Sequence, residues 1–133
     1  MSFAGLKSLI LTRAEKDDPR VKSAWQWIRK NYSFTHHPGM DTTSYFYYLQ
    51  TASEALTAYG EVNVPDDKGK MRQWTVDLAS QLMSLQKPDG SWSNPNKKYW
   101  EGNTVFMTGR AIIALNNALR SACLLYTSPS PRD

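Results

Sequence analysis

Apolar residues recur along this chain at helical spacing. Phe3, Leu6 and Ile10 fall at i, i+3 and i+7 and predict a first helix over about Phe3 to Arg13. Asp17-Asp18-Pro19 then gives a start signal, a capping carboxylate with proline at the first helical position. The second helix carries Val21, Ala24, Trp25 and Ile28 on one face and is expected to end near Asn31, before a loop with His36, His37, Pro38 and Gly39. A third opens at Asp41, Thr42 or Thr43, carries Tyr45, Tyr48, Leu49, Ala52, Ala55, Leu56 and Tyr59, and stops at Gly60. Pro65-Asp66-Asp67-Lys68-Gly69 reads as a turn. A fourth helix is expected from about Met71, with Trp74, Leu78, Leu82 and Leu85 on its face, and a fifth from about Asn103 to Ala122. No stretch alternates like a strand over a useful length, so the predicted fold class is all-α.

The order of elements repeats. Helix two, a loop and helix three are matched by helix four, the Pro88-Asp89-Gly90 loop and helix five, with Gly39 and Gly90 at corresponding turns. The period is roughly 50 residues, within the range of helical-hairpin arrays, whose units bury their apolar faces against neighbours.

The most specific segment is Gln86-Lys87-Pro88-Asp89-Gly90-Ser91-Trp92. A glutamine at a helix C-terminus can bond carbonyls of its own helix or amides of the next. Glycine permits a left-handed turn, and the tryptophan can fold back as an apolar plate with an N–H to place. Gln86, Gly90 and Trp92, preceded by Leu82 and Leu85, resemble the glutamine-tryptophan (QW) repeat of squalene-hopene cyclases and related terpenoid-cyclase and prenyltransferase toroids. The first repeat keeps only Tyr32 and Gly39 of that pattern. Ala4-Gly5-Leu6-Lys7-Ser8 and Asp17-Asp18-Pro19-Arg20-Val21 are similar to phrases in squalene-cyclase-like repeat proteins. The resemblance implies helical-hairpin repeats forming part of an α/α toroid, incomplete here, over residues 1–122. The motif is a structural tie in that family and does not itself imply activity.

The residues offer little chemistry of the kinds the family uses. Class II terpenoid cyclases protonate substrate with an Asp-x-Asp-Asp acid, and this chain has only Asp17-Asp18, read as a cap, and Asp66-Asp67, read as a polar turn. Protein prenyltransferases hold zinc with Asp, Cys and His, whereas the single cysteine here is Cys123. His36 and His37 are adjacent, so their side chains are expected to diverge. No Ser-His-Asp arrangement, Walker loop or dinucleotide fingerprint occurs. No catalytic, cofactor-binding or metal residue is assigned. Tyr45 to Tyr48 cover nearly a full helical turn, so at least one is expected to face away from the outer core. In a toroid that direction is the central cavity, with Tyr47 and Tyr48 as candidates to line it and cation–π attraction as the family's use for such rings.

Composition narrows the partners. The net charge of +4 is spread along the chain without a basic stripe or reading motif, so no nucleic acid is expected. No apolar run approaches the ~20 residues of a bilayer span. The N-terminus, Met1 to Lys7, lacks the pattern of an export signal, and localisation is left unassigned. Residues 123–133, Cys-Leu-Leu-Tyr-Thr-Ser-Pro-Ser-Pro-Arg-Asp, are similar to the in-frame translation of a transposase-type sequencing-library adapter. They are expected to be a non-native tail that interrupts the native gene, in which Pro129 and Pro131 forbid helix. The functional expectation is a squalene-cyclase-like repeat domain, non-catalytic as it stands, that binds an apolar ligand or a protein partner. The alternative is a piece of a class II terpenoid cyclase, an isomerase or lyase, whose acid motif lies elsewhere.

Overall fold

The computed structural model describes residues 3–127 and is mainly helical. Helix α1 spans Phe3–Leu11 and α2 spans Pro19–Lys30. Asp18 caps α2, its carboxylate accepting the Arg20 N–H at 2.8 Å, and Pro19 occupies a first-turn position where no N–H is missed. Helix α3 runs from Tyr45 to Tyr59 and ends at Gly60, whose φ of 85° is open to glycine at little cost. Helix α4 covers Trp74–Leu85, a 3-10 turn covers Lys98–Trp100, and α5 covers Thr104–Thr127.

Four expectations change. The third helix starts at Tyr45 rather than at Asp41 to Thr43, because those residues form a tight turn. There the N–H of Asp41 bonds back to the His37 carbonyl, and Asp41 and Ser44 take left-handed φ values of 53° and 54°. The fourth helix starts at Trp74, since Met71–Gln73 forms a strand, β2, antiparallel to β1, Asn63–Pro65, with Val64 opposite Arg72. Asp66 explains that hairpin. Its carboxylate accepts the N–H groups of Lys68 and Lys70, both at 2.9 Å, and the Arg72 Nε at 3.0 Å, which locks the turn. The fold is therefore mainly α with one small hairpin. Helix α5 continues through Thr127, beyond the expected limit at Ala122; Pro129 and Pro131 lie outside the described residues.

Helices α1, α3 and α5 pack side by side as a row, with α2 against α1 and α4 against α5. The core between them holds Leu6, Ile28, Leu49, Leu56, Trp74, Leu78, Leu82 and Met107, all fully buried. Each such side chain stabilises the fold by about 1.5–3 kcal/mol relative to exposure. Alanines 52, 55, 111, 114 and 118 are buried, which allows the helices of the row to approach closely. Polar pairs set the alignment of α3 and α5: Asn117 Nδ2 donates to Ser53 Oγ at 3.1 Å, the Thr57 and Ser121 hydroxyls lie 3.0 Å apart, and Arg110 donates to Gln50 at 2.9 Å. The Trp74 indole N–H donates to the Glu61 carbonyl at 2.8 Å, anchoring the start of α4 to the hairpin.

Candidate functional site

The structure brings Gln86, Gly90 and Trp92 together at the end of α4. The Gln86 side-chain amide donates to the Gly90 carbonyl at 2.9 Å, so it ties the turn to itself and not to carbonyls of its own helix or amides of the next. Gly90 sits at a φ of 87° and its N–H bonds the Lys87 carbonyl at 2.8 Å. Asp89 steadies the same turn, and its bonds from the Ser91 hydroxyl and N–H hold its carboxyl below the usual range. Trp92 then folds back and is buried. Its indole N–H donates at 2.8 Å to Leu82, one of the last-turn carbonyls of α4 that have no helical partner. Its backbone N–H donates to the Thr108 hydroxyl at 3.1 Å, joining the turn to α5.

A second cluster has no counterpart in the sequence pattern. Glu101 is almost completely buried, and its carboxylate accepts the backbone N–H of Phe46 at 2.7 Å and of Tyr47 at 3.3 Å. Asn94 donates both to that carboxylate at 3.2 Å and to the Thr42 carbonyl at 2.7 Å. The negative charge therefore sits on the N-terminal, partly positive end of α3, and its lone pairs are met by donors. Tyr99 and Trp100 precede it at left-handed φ values of 56° and 66°, a costly backbone for such residues that these contacts hold in place. No local pattern flags Glu101, because the α3 amides it accepts lie 54 and 55 residues away.

The two tyrosines singled out for cavity lining separate. Tyr48 is buried in the core, stacked on His37 with ring centroids 4.8 Å apart and tilted against Phe3 at 5.6 Å. Burial raises its phenol well above the ordinary range. Tyr47 is half exposed and lies under the Arg110 guanidinium, 5.4 Å from its centroid. It borders a polar surface groove with Lys7, Gln50 and Glu54, crossed by the Lys7–Glu54 ion pair. His36 contacts the Ser33 and Thr35 hydroxyls while His37 Nδ1 meets the Thr43 carbonyl, so the two imidazoles have different partners. Among the described residues, no group of three His, Cys, Asp or Glu side chains is placed to hold a metal.

The carboxylates serve the architecture. Asp18 caps α2, Asp66 locks the hairpin turn, Glu101 caps α3, and Asp77 accepts the Tyr32 hydroxyl at 2.7 Å. Burial, and then this bond, raise the Tyr32 phenol. Asp77 and Tyr32 border an open polar groove of about 430 Å³ with Arg72, Ser80 and Gln81.

Another groove is apolar. It lies between α4 and α5, has a volume of about 450 Å³, and is lined by Val76, Ala79, Met83, Leu115, Ala118 and Leu119 among others. Along α5, Val105, Phe106, Ile112, Ile113, Leu119 and Leu124 are all exposed, while Met107, Ala111, Ala114 and Ala118 are buried on the opposite side. Helix α5 thus has an apolar-rich composition on its exposed side as well as its buried one, with Arg110, Asn116, Asn117 and Arg120 interspersed. Among the described residues, no helix is long and apolar enough to cross a membrane, so that composition is not that of a bilayer span. No family model, curated protein or solved structure matches this chain.

Proposed function

We propose that this chain is a squalene-cyclase-like helical-hairpin repeat domain, part of an α/α toroid, that acts by binding a helical or apolar partner rather than by chemistry. The observation that carries this reading is the open apolar surface formed by α4 and α5. Helix α3, in the middle of the row, is covered by α1 on one side and α5 on the other. Helix α5 is covered by α3 and α4 and still exposes Val105, Phe106, Ile112 and Ile113. A further helix laid on α5 would continue the row, as a neighbouring repeat does in a stacked array. The tie of Trp92 to α4 and of its backbone to α5 supports the same reading, since it fixes the angle between the two helices that make the surface. The Asp18, Asp66, Asp89 and Glu101 carboxylates are engaged in caps and turns, which favours a structural use of the acidic residues.

Binding of 8-anilinonaphthalene sulfonate tests the surface. At low micromolar protein the dye should gain fluorescence on the folded chain, and Met83→Glu with Leu119→Glu should abolish the gain. No gain with the unaltered chain, at full helical circular dichroism, would contradict the proposal.

A further inference from the structure

We infer that the outer face of α5 pairs with α5 of a second copy of this chain, antiparallel and about a two-fold axis at the Ile112–Ile113 peptide bond; the inference rests on the reading of the α4–α5 surface as a binding face. Val105, Ile112 and Leu119 form one exposed row at i, i+7 and i+14, and Phe106 and Ile113 form the start of a second. Between the rows lie Gly109 and Asn116, both exposed, and a Cβ at Gly109 would meet nothing within 4 Å.

This pattern is self-complementary when one helix is reversed. Ile112 falls opposite Ile113 of the second copy, Phe106 opposite Leu119, and Gly109 opposite Asn116, so bulky residues meet bulky ones and the glycine leaves room for the amide. Arg120 falls opposite Val105, which places the two Arg120 charges roughly 20 Å apart along the axis, beyond the Debye length at physiological salt. A parallel pairing would set Arg120 against Arg120. An isologous contact of this kind closes on itself.

The opposite end of the row offers no match for α5. Among the described residues of α1, Leu11 is the one large apolar side chain that is exposed. Head-to-tail stacking would therefore set the apolar face of α5 against an end with a single exposed large apolar side chain. Size favours pairing as well. The apolar side chains that the pairing covers, Val105, Phe106, Ile112, Ile113 and Leu119, present on the order of 500 Å² per copy, as large as the largest patch of a typical monomer and the scale of a weak, concentration-dependent contact.

Sedimentation velocity of the full chain from low to high micromolar concentration tests the inference. A concentration-dependent dimer is expected. Ile112→Lys should weaken it about a hundredfold or more by burying an ammonium group, as should Ile113→Glu by burying a carboxylate. Mixing the two variants should restore a heterodimer, since the ammonium introduced in one copy then faces the carboxylate introduced in the other, and Leu11→Lys should leave the dimer unchanged. Both altered positions of α5 are exposed in the single chain, so helical circular dichroism should not move. A dimer indifferent to Ile112→Lys, or single variants that fail to recover on mixing, overturns the inference. A monomer at all concentrations that still binds the dye overturns the second copy as occupant and leaves the binding face standing; a monomer that binds no dye overturns both.

Discussion

The carboxylate of Glu101 accepts the backbone N–H of Phe46 at 2.7 Å, so the start of α3 is capped by a residue 55 positions further along the chain. The residue in the local capping position, Ser44, is left-handed and makes no side-chain cap bond. Glu101 thus does for α3 what Asp18 does for α2, with the added consequence that the α4–α5 loop cannot detach without uncapping the central helix. Glu101→Ala should cost about 2–4 kcal/mol, because it leaves buried donors unsatisfied. Glu101→Gln keeps the shape and one acceptor oxygen and should cost about half as much. Urea unfolding followed by circular dichroism at 222 nm reads the difference. Equal and negligible losses for both would show that the capping bonds contribute nothing.

Trp92 combines an apolar plate with a single directed hydrogen bond, and the two can be separated. Trp92→Ala removes both and should destabilise by about 3–5 kcal/mol. Trp92→Phe keeps most of the plate but leaves the Leu82 carbonyl without its indole donor, and should cost about 1–2 kcal/mol. The same unfolding assay checks both. A phenylalanine variant as damaged as the alanine one would place the whole effect on the N–H.

Acid should unfold the chain by a definable route. The Arg20 side chain and backbone N–H bound to Asp18 hold its carboxyl down to about 2. At Asp66 burial works the other way, but the Lys70 N–H, Arg72 and the Lys68 N–H outweigh it and leave the group lowered. At Glu54 burial is likewise outweighed, here by Lys7 and Gln50. Each group binds its proton less readily when folded, so the unfolded chain takes up more protons as pH falls. The stability they contribute is complete above the ordinary carboxylate values near 4 and is lost as pH falls through their lowered folded values, about 2 at Asp18. Thermal midpoints should be level from pH 7 to about 5 and fall steeply below pH 4. Asp18→Asn should flatten part of that fall. A midpoint unchanged between pH 5 and pH 2.5 would contradict these assignments.

How much of this is legible in the sequence depends on whether the cause is local. Asp18-Pro19 and Gly60 act on their own helix ends, and both boundaries fall where residue type alone puts them. The hairpin escapes a sequence reading because each strand is three residues long, too short for alternation to register, and its true organiser is the Asp66 side chain. The start of α3 is misplaced by residue type because good capping residues at 41 to 43 are used in a turn, while the actual cap arrives from Glu101. Tyr48 lies in the core, because helical spacing cannot tell which of two covered faces an aromatic meets. The apolar character of α5 is visible in the sequence, but which of its residues lie uncovered follows only from where α3 and α4 pack.

Pairing of the exposed α5 face with a second copy is the central claim. The most direct measurement is the thermal midpoint of the full chain as a function of its own concentration, compared with Leu119→Glu. Anything that binds only the folded state raises its midpoint with concentration. The midpoint of the unaltered chain should rise by several degrees for each hundredfold increase in protein concentration. That of Leu119→Glu should stay flat at the low-concentration value. A midpoint independent of concentration in both proteins would contradict the claim that this face binds a second copy.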